Sequence, residues 1–286
     1  MKGVVFPASG PAFITGKDRL GPDDNDTWLI GSSTGALRAM THFYGTSIDD
    51  LANSYCKMTW RPWSMPWHLA AMLRENVRVV YRGADITRID RPSKLIPAVI
   101  VTYSRIPPCI ILVLCLVAWL FGYTRLIYRL VQMHIYIPAF ADATTFPLVF
   151  DPEISYRFKT LTSRNMEAVL YSSCRIPLIS TSNGNSFDGA FVFYYMNGRP
   201  RPGAEVTLLS DTAKPTRSII DQRPCAVCTV RVSLSTNTLL EWFHPWYAIH
   251  PAARRRKWLL KAHTGPDVAA AEALPDSSPL ALEYRW

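Results

Sequence analysis

The chain reads as an α/β protein, and three stretches carry that reading. Trp28-Leu29-Ile30 runs apolar into Gly31-Ser32-Ser33-Thr34-Gly35, and apolar positions 37, 40 and 44 then recur at helical spacing until Gly45 stops the run. Gly3-Val4-Val5-Phe6 is a short apolar run closed by Pro7 and Gly10, the pattern of a first buried strand. Residues 95–103 are nearly all apolar, as a strand covered on both faces and central in a sheet must be.

Taken in order, the first strand opens into Pro7-Ala8-Ser9-Gly10-Pro11, a tight turn whose glycine can present backbone N–H groups or simply connect two elements. Residues 17–26, with Asp18, Asp23, Asp24 and Asp26, form a polar loop before the Gly-x-Ser-x-Gly strand. After the first helix, Ser47-Ile48-Asp49-Asp50 resembles a capping box and opens a second one. Trp60-Arg61-Pro62-Trp63-Ser64-Met65-Pro66-Trp67 is either a packed loop over the core or an interfacial anchor. Residues 77–81 read as a strand, with the apolar strand at 95–103 after them.

Residues 106–124 carry no charge between Arg105 and Arg125, and as a helix they would measure about 29 Å. Pro107 and Pro108 suit its start. Ser33 lies before this segment and Asp188 after it, so one crossing would put them on opposite sides of a hydrocarbon core about 30 Å thick. Residues 126–140 are broken by Arg129, Gln132, His134 and Pro138 and cannot return the chain. The expectation is an apolar helical segment that is buried or enters a membrane from one side.

Thr162 or Ser163 can cap a helix over residues 165–171, and Ser172-Ser173-Cys174-Arg175-Ile176-Pro177 follows. A polar loop then leads to Phe187-Asp188-Gly189-Ala190, where an Asp before Gly is equally the chemistry of a plain turn. Residues 205–210 and 228–235 read as strands, and Arg254-Arg255-Arg256-Lys257-Trp258 as a solvated helix face or a headgroup contact. From Gly265 onward Ala, Pro and Ser dominate, so residues 1–264 read as one domain and 265–286 as a loose tail.

Bulk composition narrows the function classes. The 286 residues suffice for one sizeable core, with 49% hydrophobic and 19% charged residues. A net charge of +9 favours an anionic partner, and nine tryptophans tilt that partner toward lipid headgroups. No nucleic-acid-binding motif stands out. The six cysteines are scattered, and Cys225-Ala226-Val227-Cys228 has no second pair to complete a zinc site. Met1-Lys2 and the short apolar run before Pro7 do not make a signal peptide.

The chemistry centres on Gly31-Ser32-Ser33-Thr34-Gly35. A strand, a sharp turn and a helix around Gly-x-Ser-x-Gly make a nucleophile elbow. In that reading Gly31 and Gly35 allow the turn and leave room for substrate, and Ser33 sits exposed as the nucleophile beside a helix N-terminus that favours negative charge; the alternative is an ordinary glycine-rich strand–helix turn.

In order along the chain, Ala8-Ser9-Gly10-Pro11, Gly31 to Gly35, Ser172 to Pro177 and Asp188-Gly189-Ala190 together resemble the motifs of the patatin-like phospholipases. The resemblance covers roughly residues 3–197. It departs from the family in two places: the usual Gly-Gly-Gly-x-Arg-Gly loop is reduced to one glycine, and Arg175 stands where a small residue is usual. The resemblance implies a three-layer α/β/α fold with a central mixed sheet and a Ser33–Asp188 dyad without histidine. It further implies an oxyanion hole from backbone N–H groups near Ser9, Gly10 and Thr34, with Gly189 as part of the aspartate motif. No metal or organic cofactor is implied. The expected substrate is a phospholipid or other lipid ester, at a cytoplasmic membrane surface reached peripherally through residues 106–124. Two other readings stand beside it: an α/β-hydrolase with the order Ser33, Asp188, His244, and a lipid-binding relative that has lost turnover.

Overall fold

In a computed structural model, the protein is described over residues 2–6, 26–47, 65–108, 129–150, 155–175, 184–189 and 199–208, with single residues at 50, 51, 54, 110, 111, 113, 114 and 117. A seven-stranded mixed sheet organises these residues. Its strands are β1 (Lys2–Phe6), β2 (Thr27–Ser32), β3 (Leu95–Ser104), β4 (Val131–Pro138), β6 (Tyr156–Leu161), β7 (Ser186–Phe187) and β9 (Glu205–Leu208). Strands lie in the order β6-β4-β3-β2-β1-β9, and β7 pairs with the end of β3. Pairing is parallel from β9 through β1 and β2 to β3, and antiparallel between β3 and β4. A separate short pair joins β5 (Leu148–Val149) to β8 (Arg199–Pro200).

The apolar runs of β2 and β3 follow from burial on both faces. Leu29, Val99 and Val101 point into one core with α1 (Thr34–Tyr44), α2 (Met65–Val80) and α3 (Met166–Cys174). Trp28, Ile30, Ala98 and Ile100 point into the other, with Met133, Phe146, Phe150 and Phe187. Trp28 meets Phe146 edge to face at 5.2 Å. The expected central position of β3 is borne out, as is the stop at Gly45, which takes a left-handed φ of 70° at the C-terminus of α1.

Two expectations about these elements are overturned. Residues 77–81 are not a strand: α2 runs from Met65 to Val80. Its buried stripe is Leu73, Asn76, Val77 and Val80, so a polar residue interrupts the helical repeat and leaves a short valine-rich run that mimics a strand. The helix expected over 165–171 spans Met166–Cys174, with Asn165 rather than Thr162 or Ser163 at its N-cap. Strands β4 and β6 have no counterpart among the sequence expectations, because Gln132 and His134 break one pattern and β6 is a largely exposed edge. The strand expected at 205–210 is β9, and its last two residues lie outside the described residues.

Pro7 to Pro11, most of the polar loop before β2, Ile48 and Asp49 of the capping box, Trp60 to Ser64, the Cys225–Cys228 pair, His244, the basic run at 254–258 and the tail from 265 also lie outside the described residues. Of residues 106–124, the described positions 108, 110, 111, 113, 114 and 117 have helical backbone. Among the described residues no helix is long and apolar enough to cross a membrane.

Candidate active site

The C-terminal ends of β2 and β3 carry the site. Ser33 follows β2 directly and has φ 54° and ψ −132°, and no other non-glycine described residue has a positive φ. Such a conformation is strained by about 1–3 kcal/mol and persists only where its surroundings enforce it. Gly31 explains part of the enforcement: a Cβ there would overlap the Gly35 carbonyl oxygen and lie 2.6 Å from Ala36 Cα. The first turn of α1 therefore packs directly on the strand, and the two motif glycines are neighbours in space.

The Ser33 hydroxyl donates to Asp188 Oδ2 at 2.8 Å, across 155 residues of chain. Ser33 is 7% exposed, which overturns the expectation of a serine exposed at the turn, because the first turn of α1 and the Ser173 segment close over it, and Asp188 is half-buried. Five hydrogen bonds strap the pair in place. The Ser33 N–H donates to Ser173 Oγ at 2.9 Å, and that hydroxyl donates onward to the Ile100 carbonyl at 2.6 Å. Thr102 Oγ1 donates to the Asp188 carbonyl at 2.7 Å. The Asp188 N–H donates to the Arg175 carbonyl at 2.8 Å, and the Gly189 N–H to the Ser173 carbonyl at 3.0 Å. Both halves of the pair are thus tied to β3 and to the end of α3.

Gly189 must be glycine for reasons of space. A Cβ there would overlap the Ile100 carbonyl oxygen, 2.7 Å from its carbon and 3.2 Å from Ser173 Oγ. Arg175 is almost fully buried. Its Nη1 donates to the Gly184 and Ser186 carbonyls at 2.9 and 3.1 Å, clamping the approach to Asp188. Burial lowers the Arg175 pKa. The neighbouring Cys174 thiol is pushed up, first by burial and then by the Asp188 carboxylate, which keeps it protonated and poorly nucleophilic.

Thr34 opens α1 beside Ser33 and is buried, while Ser9 and Gly10 lie outside the described residues. Strand β1 ends at Phe6, which pairs with Gly31 beside the strand–helix turn. Because Ser173 holds the Ser33 N–H, that group is already engaged. Among the described residues no group of three or more His, Cys, Asp or Glu could hold a metal ion.

The sequence singles out the segment that holds Ser173 and Arg175 but gives neither residue its task, and it gives no sign of Thr102. A serine or threonine that straps distant backbone leaves no spacing signature of its own. Comparison with family models, curated proteins and solved structures finds no match for the chain. What the fold and site define is an α/β chain with a hydrogen-bonded serine–aspartate pair at a strained strand–helix turn.

Proposed function

We propose that the chain is a serine acyl hydrolase of the patatin-like type, with a three-layer α/β/α fold, acting on carboxylic esters of lipids. The observation that carries the proposal is the 2.8 Å hydrogen bond from Ser33 Oγ to Asp188 Oδ2, made by the residue with φ 54°. A serine held off the regular backbone with a carboxylate on its hydroxyl is arranged for nucleophilic attack.

In this reading Ser33 Oγ attacks the ester carbonyl carbon while Asp188 Oδ2 takes its proton. The tetrahedral oxyanion rests against backbone N–H groups at the start of α1, with Ser9 and Gly10 the further donors that the resemblance implies. Collapse breaks the ester bond, and the leaving alkoxide takes the proton from Asp188. Water then attacks the acyl-serine and gives a proton to Asp188; the bond from the acyl carbon to Ser33 Oγ breaks, Asp188 returns that proton to Ser33 Oγ, and the carboxylic acid leaves. A carboxylate with an ordinary pKa of about 3.9 is a weak base, so alignment and exclusion of water matter more here than with histidine. The burial of Ser33 and the straps on both partners suit that demand.

A fluorophosphonate probe tests nucleophile and alignment together. The wild-type protein is expected to be labelled at Ser33, with no labelling of Ser33→Ala and labelling of Asp188→Asn slower by at least about 100-fold. Labelling of Ser33→Ala would exclude Ser33 as the nucleophile. A folded wild-type protein that takes no label would favour the relative without turnover.

A further inference from the structure

Among the described residues, four of the six exposed large apolar side chains lie on one short stretch. Ile110, Val113, Leu114 and Val117 are 46%, 59%, 37% and 44% exposed, and their backbone is helical. The spacing i, i+3, i+4, i+7 puts all four on one stripe of a helix. Ile111, between them in sequence, is fully buried in the core that also contains Phe187, the residue before Asp188. The stripe therefore stands on the part of the protein that carries the aspartate.

The chain's path shows which way the stripe faces. It leaves β3 at Ser104 and re-enters the sheet at Val131, the residue paired with Ser104. Ser104 Oγ accepts from the Ile106 N–H at 3.0 Å and donates to the Leu130 carbonyl at 3.3 Å, so exit and return are pinned together. Residues 105–130 are thus an excursion from one end of the sheet. It is the end at which β2 delivers Ser33, because Ser32 pairs with Ile100 and β3 continues four residues, about 13 Å, to Ser104. Exposed Arg105 and Arg129 stand at the two feet of the excursion.

We propose that Ile110, Val113, Leu114 and Val117 insert into the surface of an anionic bilayer from one side, with Arg105 and Arg129 against its headgroups. Charge selects this occupant. The residues from 106 to 124 are uncharged, the flanking exposed residues are cationic, and the chain carries +9 overall. An apolar stripe with basic flanks is what an interfacial helix presents to acidic lipid, whereas a second copy of this basic chain would bring cation against cation. With a shared pinned foot, insertion leaves Ser33 and Asp188 on one side of the membrane. The proposal rests on the lipid-ester reading for the site's substrate, but its binding step requires no chemistry.

Flotation with vesicles separates the two. Ser33→Ala protein is mixed with vesicles of phosphatidylcholine and phosphatidylserine, roughly seven to three, and with phosphatidylcholine alone. Binding is expected to the mixed vesicles and to fall roughly tenfold or more without the anionic lipid, since each cation at such a surface contributes about fivefold. The double substitution Val113→Asp/Val117→Asp should weaken binding at least about tenfold with an unchanged melting temperature, and Val113→Trp should tighten it. Flotation of the aspartate variant equal to the parent overturns the proposal. So does a dimer in sedimentation that the aspartates dissociate, which would assign the stripe to a second copy. Intact flotation with no fluorophosphonate labelling of wild type would instead sink only the hydrolase reading.

Discussion

Gly189→Ala is the sharpest test of how the dyad is held, because the perturbation is one methyl group placed away from both reacting atoms. Its carbon would overlap the Ile100 carbonyl oxygen and stand 2.7 Å from the Ile100 carbon. Carbons pack at about 3.5–4.0 Å, so the two backbones must separate by about 1 Å. Strand β3 is held by β2 and β4 on its two sides, and the 184–189 segment is held by fewer bonds, so the segment moves. Asp188 then leaves the 2.8 Å contact with Ser33. A misplacement of about 1 Å typically costs about 100-fold in rate. Overpacking destabilises by about 1–3 kcal/mol, which a chain of this size tolerates. Kinetics on a soluble chromogenic ester should show kcat down about 100-fold with KM nearly unchanged and a melt lowered by a few degrees. A Gly189→Ala protein with wild-type kcat would refute the inference that this close approach positions Asp188.

Arg175 should act as a positioning residue: Arg175→Met removes the donors to the Gly184 and Ser186 carbonyls, and kcat should fall about tenfold with little change in KM. Arg175→Lys, with one compact donor group, should recover part of that rate, and equal activity in all three proteins would reduce Arg175 to packing. His134 predicts a pH effect on stability. Burial first, then Lys159 and Arg157, lower its pKa from 6.5 to about 4, while its ring stacks on Tyr103 at 4.7 Å and bonds Gln132 at 3.0 Å. The unfolded chain therefore takes up the proton first, so this group's stabilisation is complete above pH 6.5 and is lost as pH falls towards about 4. Urea unfolding of wild type against His134→Phe across that window should differ by about 1–2 kcal/mol in pH dependence, and parallel curves would count against a buried neutral imidazole.

What the sequence makes legible is what is local. Gly31, Ser33 and Gly35 stand within one strand–turn–helix unit, and the steric need for a small residue at Gly31 arises within five positions of it. Gly45 is legible for the same reason. Asp188 is different: as a residue it reads as turn chemistry, and only its place after three other motifs marks it out. The straps are harder still, because Ser173 is 140 residues from the N–H it accepts and 73 from the carbonyl it donates to. No window of sequence contains both ends of such a bond. The same limit explains α2, where Asn76, fully buried, occupies a position of the stripe that an apolar residue would have made readable.

Strain at the elbow and the straps around it are one design problem. A φ of 54° at Ser33 disfavours the turn by about 1–3 kcal/mol relative to a glycine in the same place. A glycine, however, has no hydroxyl, so the proposed chemistry requires the strained residue and the surroundings must hold it. Each buried hydrogen bond contributes only about 0.5–1.5 kcal/mol net, but a buried group left without its partner loses about 1–3 kcal/mol. Relaxing Ser33 would break the Ser173 Oγ bond and orphan a buried N–H, so relaxation is opposed by as much as the strain drives it. Ser173 transmits the same constraint to Asp188, because its carbonyl accepts the Gly189 N–H while its hydroxyl grips Ile100. Nucleophile and carboxylate are therefore referred to a single residue and a single strand. Without an imidazole to reorient, a dyad has no adjustable member, and a common anchor is what keeps its two oxygens in contact.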